Sequence, residues 1–287
     1  CIAASIANAS NIWYGLHGST ELLKTEASSS AKKLLQFAKE NELYYYKTEP
    51  DSKVGLFFGF VNSRISNDAK DESDFSSKEV KETLYGDTED GFRGWYSILT
   101  EMNIPFDIVS EFNISSLDNY KVLVCPNSVA VDSNTLSAVK NFVKKGGRLI
   151  AESGFSIFDE KGGQLPVSPI KDVIGVKHSG RFHRHQPYNY FIFDSAFINL
   201  PQKYYPLPLL SWEVLPEKNS IVISRCLKDL AGRYVQLTNP DNPFIVFNKY
   251  FSGDAFYISG NFGEMFLKYH VSEYKNIAGK MILEKLG

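Results

Sequence analysis

Cysteine is scarce here: Cys1, Cys125 and Cys226 are the only three in a chain of 287 residues. No C-x-x-C spacing links them, so neither a disulfide framework nor a zinc site is implied, and the usage leaves the compartment open. An excess of one charge sign is also missing, the formal net charge being −2. A nucleic-acid or anionic-membrane partner calls for a basic stripe, and the sequence has none. The longest apolar runs, such as 54–61, are strand-sized and too short to cross a bilayer as a helix. Gly55, Gly59 and Gly91 do not make a G-x-G-x-x-G fingerprint, so no dinucleotide site is expected. Neither a cofactor nor a bound metal is expected, and no internal repeat or low-complexity tract is present.

What is present is the composition of an ordinary globular protein, with 43% hydrophobic and 22% charged residues. The length suits one large domain or two modest ones. Residues 2–9 are small and apolar, like an inner strand, and Trp13, Tyr14 and His17 follow in a loop. Helical spacing of Ala31, Leu34, Leu35 and Ala38 predicts a helix over 30–46. The run 54–59 reads as a strand buried on both faces, and the polar stretch 63–77 as a loop. A helix is expected over 87–102 with Phe92, Trp95, Tyr96 and Leu99 inward. Strands are expected at 105–110, 121–126 and 148–152. Between the last two, Asp132 or Ser133 caps a helix whose buried stripe is Leu136, Val139, Phe142 and Val143, and Gly146-Gly147 stops it.

This alternation over 54–152 predicts an α/β fold with an open, mainly parallel sheet and helices on both faces. Beyond Pro166 shorter strands are expected at 221–226, 233–237, 244–250 and 255–259, with a turn at 239–242. Val271, Tyr274, Ile277, Ala278, Met281 and Ile282 mark a closing amphipathic helix.

A chain opening on Cys1 admits three readings: a processed N-terminal nucleophile, the acylated first residue of a lipoprotein, or a start partway through a longer protein. Because 2–7 looks like a buried strand rather than a soluble tether, the third is favoured.

Three segments carry a resemblance: Asp118-Asn-Tyr-Lys-Val-Leu-Val-Cys-Pro-Asn127, Val143-Lys-Lys-Gly-Gly-Arg-Leu-Ile-Ala151 and Phe244-Ile-Val-Phe-Asn-Lys-Tyr-Phe-Ser-Gly-Asp-Ala-Phe-Tyr257. They resemble the trimerisation domain of bacterial β-galactosidase-type glycoside hydrolases. The resemblance covers about residues 51–287 and implies a class I glutamine amidotransferase-like, flavodoxin-like fold. It also implies self-association, as a trimer. Residues 1–50 resemble what precedes that domain, the last βα unit of a TIM barrel. Such a barrel needs about 200 residues or more, and its catalytic carboxylates lie on earlier strands. Carbohydrate would then be bound through a barrel that this sequence does not include.

The residues themselves offer no complete catalytic set. An amidotransferase places a cysteine on a tight turn after a strand, beside backbone donors for the oxyanion. Aligning Gly154 with the second glycine of G-x-C-x-G puts Glu152 at the cysteine's place, and Cys125 is followed by Pro126, which has no N–H to donate. His178, His183, His185 and His270 all lack the carboxylate two residues on that such a site uses. Ser153 lacks the G-x-S-x-G elbow, since Ala151 replaces the first glycine. On a strand, His183 and His185 would face the same side and could bind zinc with a third ligand, but no Cys or acidic residue follows at ligand spacing and Arg181 and Arg184 oppose a cation. Glu89-Asp90 suits the dipole of a helix start better than acid–base work.

One cluster has ligand character: Asn8, Asn11, Trp13, Tyr14 and His17 follow the expected barrel strand, at the end where barrel sites assemble. Amides can fix sugar hydroxyls and an indole can stack on a pyranose; Trp13 and Tyr14 can equally pack the loop. Between 178 and 205, Arg181, Phe182, Tyr188 and Tyr190 stand out as interface candidates, with Phe191, Phe193, Phe197, Tyr204 and Tyr205 beside them, because aromatics and arginine are enriched at hot spots. The competing account is that these aromatics fill the domain's own core. Three functions therefore compete: a non-catalytic oligomerisation portion of a glycoside hydrolase, a carbohydrate-binding domain using exposed Tyr188, Tyr190, Tyr204 and Tyr205, and a free-standing hydrolase with Cys1 as nucleophile.

Overall fold

The computed structural model describes residues 5, 15, 17–45, 51–68, 86–186, 188–194, 203–230, 235–237 and 240–287, and the chain divides into two compact units, 1–51 and 52–287. In the first unit Thr25 accepts a hydrogen bond from the Ser28 N–H and caps helix α1 (Glu26–Glu40), with a short helix α2 (Glu42–Tyr45) after it. The helix expected at 30–46 is thus present but starts earlier, at the threonine cap. Only Ser28 and Ala31 of α1 are buried, whereas Leu34, Leu35, Phe37, Leu43 and Tyr44 are exposed. The strand expected at 2–9 falls outside the described residues except for Ser5, whose backbone is helical.

The second unit is built on a nine-stranded sheet in the order β2-β1-β3-β4-β11-β10-β9-β6-β7. The strands are β1 (Val54–Phe57), β2 (Phe106–Val109), β3 (Val122–Cys125), β4 (Arg148–Glu152), β5 (Val176–Arg184), β6 (Tyr190–Phe193), β7 (Tyr205–Pro206), β8 (Leu210–Pro216), β9 (Ile221–Leu227), β10 (Pro240–Tyr250) and β11 (Gly253–Ile258). From β2 to β11 the neighbours run parallel; from β11 onward each joins antiparallel. β5 and β8 form a separate two-stranded antiparallel arm.

Period-two alternation assigns side chains to the two faces. Val54, Leu56, Val122, Val124, Ile150, Phe256 and Ile258 meet one helical layer, made of α4 (Thr88–Glu101), α7 (Phe262–Tyr269) and α8 (Ser272–Leu286). Phe57, Leu123, Cys125, Leu149, Ala151, Ala255 and Tyr257 meet the other layer. That layer contains α5 (Ser133–Lys144), α6 (Lys171–Ile174) and the arm residues Val176, Trp212 and Val214. Asp132 is the cap of α5, accepting from the N–H groups of Asn134 and Thr135.

Several expectations are corrected. The segment read as a loop from 63 begins inside helix α3 (Phe60–Asp68). Its first N–H groups, those of Phe60 and Val61, donate to the Glu111 carboxylate at 3.0 and 3.1 Å, so the cap comes from fifty residues away and leaves no local signal. Tyr96 points outward rather than into the core, its ring meeting Phe106 edge-on. Residues 235–237 are not a strand, and 240–242, expected as a turn, belong to the irregular start of β10. The arm strands β5 and β8 and helix α7 had no counterpart in the expectations.

Candidate functional site

The carboxyl ends of β3 and β4 are where a fold of this kind places chemistry. The Glu152 carboxyl there is wholly buried. Trp95 donates its indole N–H to Oε2 at 2.8 Å, Gly263 donates its N–H to the same oxygen at 3.1 Å, and the Asn127 N–H reaches Oε1 at 3.2 Å. Burial pushes the carboxyl up to about 8; the three donors oppose this without reversing it. Helices α4 and α7 and the turn after β3 are thus tied to one side chain, whose two oxygens are both engaged by internal donors.

The strained residue of this turn is Ser153, with φ of +59°, one position beyond Glu152. The alignment that gave the nucleophile's place to Glu152 is therefore off by one. Ser153 is no nucleophile either. Its hydroxyl is buried, and turn residues follow it instead of a helix N-terminus, the next helix beginning only at Lys171. Tyr257 donates to the Ser153 carbonyl at 2.5 Å and lies 2.9 Å from His178 Nε2. Since the tyrosine proton is committed, Nε2 carries the histidine proton. Burial draws His178 down to about 4, so it is a neutral structural link. Burial also raises the thiols of Cys125 and Cys226, which makes both poor nucleophiles.

A second constellation has the distances of a Ser-His-Asp triad. His185 Nδ1 lies 2.6 Å from Asp229 Oδ1, and His185 Nε2 lies 2.6 Å from Ser211 Oγ. The carboxylate only accepts, so Nδ1 donates and Nε2 accepts from the serine. Burial, partly opposed by Asp229, lowers the His185 pKa. The accessibility is inverted relative to a catalytic triad, however: Ser211 is buried within β8 and Asp229 is exposed. Asn189 also donates to Asp229, at 2.7 Å, so the group pins β8 and the 227–230 loop to the end of β5. With both His185 nitrogens engaged, the His183–His185 pair offers no chelate.

Of the expected sugar-site cluster, Asn8, Asn11, Trp13 and Tyr14 lie outside the described residues, and His17 is exposed. Among the interface candidates, Arg181 is exposed on β5, Phe182 packs on Trp212 with centroids 5.1 Å apart, and Tyr188 and Tyr190 are half-buried. Phe191 and Tyr205 belong to the core, their rings tilted against each other at 5.3 Å, and Phe191 also meets Phe244 at 4.4 Å. Tyr188, Tyr190, Tyr204 and Tyr205 were expected as an exposed platform; none is exposed, three being half-buried and Tyr205 fully so. Sequence reasoning missed an exposed aromatic group at the other side of the sheet, Phe60 and Phe112, whose rings lie 5.1 Å apart.

The second unit is a mixed α/β domain whose strand-end turn after β4 is filled by its own side chains. The chain belongs to the β-galactosidase trimerisation domain family, whose model matches residues 64–279. Solved structures share the fold at low identity. Gan42B, a GH42 β-galactosidase from G. stearothermophilus, is 18% identical with a TM-score of 0.66, over 89% of this chain and 34% of that one. A β-galactosidase from Bacillus circulans sp. alkalophilus is 17% identical with a TM-score of 0.62, over 86% and 34% of the two chains. α-L-Fucosidase isoenzyme 2 from Paenibacillus thiaminolyticus is 19% identical with a TM-score of 0.60, over 88% and 35%. The chain thus spans about a third of the length of these relatives. No curated protein matches it.

Proposed function

We propose that this chain is the non-catalytic, subunit-joining portion of a glycoside hydrolase acting on carbohydrate, with the catalytic carboxylates on barrel strands that these 287 residues do not include. The observation that carries the reading is the sealed strand end: Glu152 spends both oxygens on three internal donors, and Ser153 is buried beside it. The left-handed Ser153 at the end of β4 supports an amidotransferase-like ancestry of 51–287. Residues 1–50 are read as the last βα unit of a TIM barrel, a view supported by the uncovered apolar side chains of α1 and α2, as on an outer barrel helix without its neighbours. Asn8, Asn11, Trp13, Tyr14 and His17 then belong to the sugar site of that barrel.

The test is hydrolysis of a chromogenic aryl β-galactoside together with light-scattering mass at tens of micromolar. The expected result is an oligomer with no turnover. Turnover by these residues alone, or a monomer, would overturn the reading.

A further inference from the structure

His178 ties β5 to β11 with only half of its imidazole. Its Nε2 lies 2.9 Å from the Tyr257 hydroxyl of β11, and that hydroxyl donates onward to the Ser153 carbonyl of the strand-end turn. With the proton on Nε2, the other nitrogen, Nδ1, is an acceptor. Among the described residues it is buried and has no hydrogen-bond partner. A buried polar atom left over in this way calls for a physical reason.

The surroundings decide what a second proton does there. Trp212 of β8 meets the imidazole edge-on with centroids 5.9 Å apart, and Val214 pairs with His178 across the ladder. Glu213, alternate to both on β8, points to the opposite face, where it lies 3.8 Å from Arg181 and 3.5 Å from His183. From β11 the titratable neighbour is Tyr257, whose hydroxyl burial holds far above its ordinary range. The turn after β4 contributes the uncharged Ser153 carbonyl. The last neighbour is an open groove of about 300 Å³, whose other lining residues, 157, 164–167, 179 and 180, carry no charge. A proton on Nδ1 is therefore a buried donor without an acceptor, on a ring without a counter-ion among the described residues. The groove is its route to water. β5 can follow, because its ladder to β8 is interrupted between His178 and Phe182, with Ser179, Gly180 and Arg181 exposed. His185 provides the contrast: Asp229 Oδ1 stands 2.6 Å from its Nδ1, so an imidazolium there keeps a carboxylate, and the Ser211 hydroxyl can turn to accept from Nε2.

We propose that His178 is an acid-released latch: a proton taken up at Nδ1 breaks the tie to Tyr257, turns the ring into the groove and frees the 178–182 segment of β5 while the main sheet stays folded. The latch stands independently of the subunit-joining reading. Its direction follows from burial. His178 is drawn down to about 4 in the fold against 6.5 for an ordinary histidine, with the Ser153 carbonyl opposing the shift. The hold is thus fully present above about pH 6.5 and is lost as pH falls through about 4.

Amide hydrogen exchange, corrected for the intrinsic rate at each pH, reads the opening of β5 against that of β1, β3 and β4 between pH 7 and pH 4. The expected result is a loss of about 100-fold in β5 protection over that range, the change that follows from a pKa of about 4 closed and 6.5 open, with β1, β3 and β4 still protected. His178→Gln keeps an N–H that reaches Tyr257 and takes up no proton, so its β5 protection is expected to be flat over the same range. The wild type gives a second reading that needs no variant: the His178 Cε1–H signal in NMR is expected to titrate near pH 4. Equal β5 protection at pH 7 and pH 4 in the wild type overturns the proposal, and so does a loss shared equally by all four strands. A loss that persists in His178→Gln and disappears in His185→Gln moves the switch to the other histidine and also overturns it. A His178 signal that titrates near 6.5 does the same, because the ring is then already open to solvent.

Discussion

Gly94→Ala tests how the sealed strand end is held. A Cβ at Gly94 would lie 1.8 Å from the carbonyl oxygen of Gly263, and one at Gly263 would lie 2.3 Å from the carbonyl oxygen of Gly91. Helices α4 and α7 therefore touch backbone to backbone, and that approach aims the Gly263 N–H at Glu152, 3.1 Å away. Alanine at 94 must push α7 away by more than 1 Å, since real Cβ contacts are essentially never under 3.0 Å. Overpacking of this kind costs about 1–3 kcal/mol. Losing the Gly263 donor to a buried carboxyl adds about 1–3 kcal/mol. Alanine returns about 0.5–1 kcal/mol through its better helix propensity. The net expectation is a loss of about 1–5 kcal/mol, which at roughly 2–4 °C per kcal/mol for a unit of this size is a melting temperature lower by roughly 2–20 °C. Urea and thermal unfolding measure it. Gly279→Ala on α8 is the control, because its one tight Cβ contact is the terminal methyl of Met102, the far end of a flexible side chain that can swing aside. A Gly94→Ala protein as stable as the wild type, or more stable, would refute the close-approach argument.

Two further outcomes follow from buried charge. Arg148 and Asp254 form a two-point ion pair across β4 and β11, at 2.5 and 3.2 Å, with the guanidinium also donating to the Met281 carbonyl at 2.8 Å. Asp254→Ala leaves the buried guanidinium with the Met281 carbonyl and the half-exposed Glu284 at 3.9 Å, and is expected to cost about 3 kcal/mol in denaturant unfolding; a loss below about 1 kcal/mol, the scale of an exposed pair, would show the pair to be solvated. Glu152 has a folded pKa of about 8 against 4.5 for an ordinary glutamate, so its stabilisation is fully present below about pH 4.5 and is lost as pH rises through about 8. Glu152→Gln is expected to flatten the stability profile between those limits, and an unchanged slope there would mean that Glu152 is ionised in the fold.

The sequence alone determined the elements whose own residues carry the signal. Strands β1, β3 and β4 are apolar runs bounded by breakers; α5 carries its stripe, its Asp132 cap and its Gly146-Gly147 stop within sixteen residues; α8 repeats its buried positions at helical spacing. Only the tertiary structure decided what depends on residues far apart. The α3 helix exists where Glu111 caps it, the strained turn residue is Ser153 because β4 ends there, and Tyr205 is core because Phe191 and Phe193 pack against its ring.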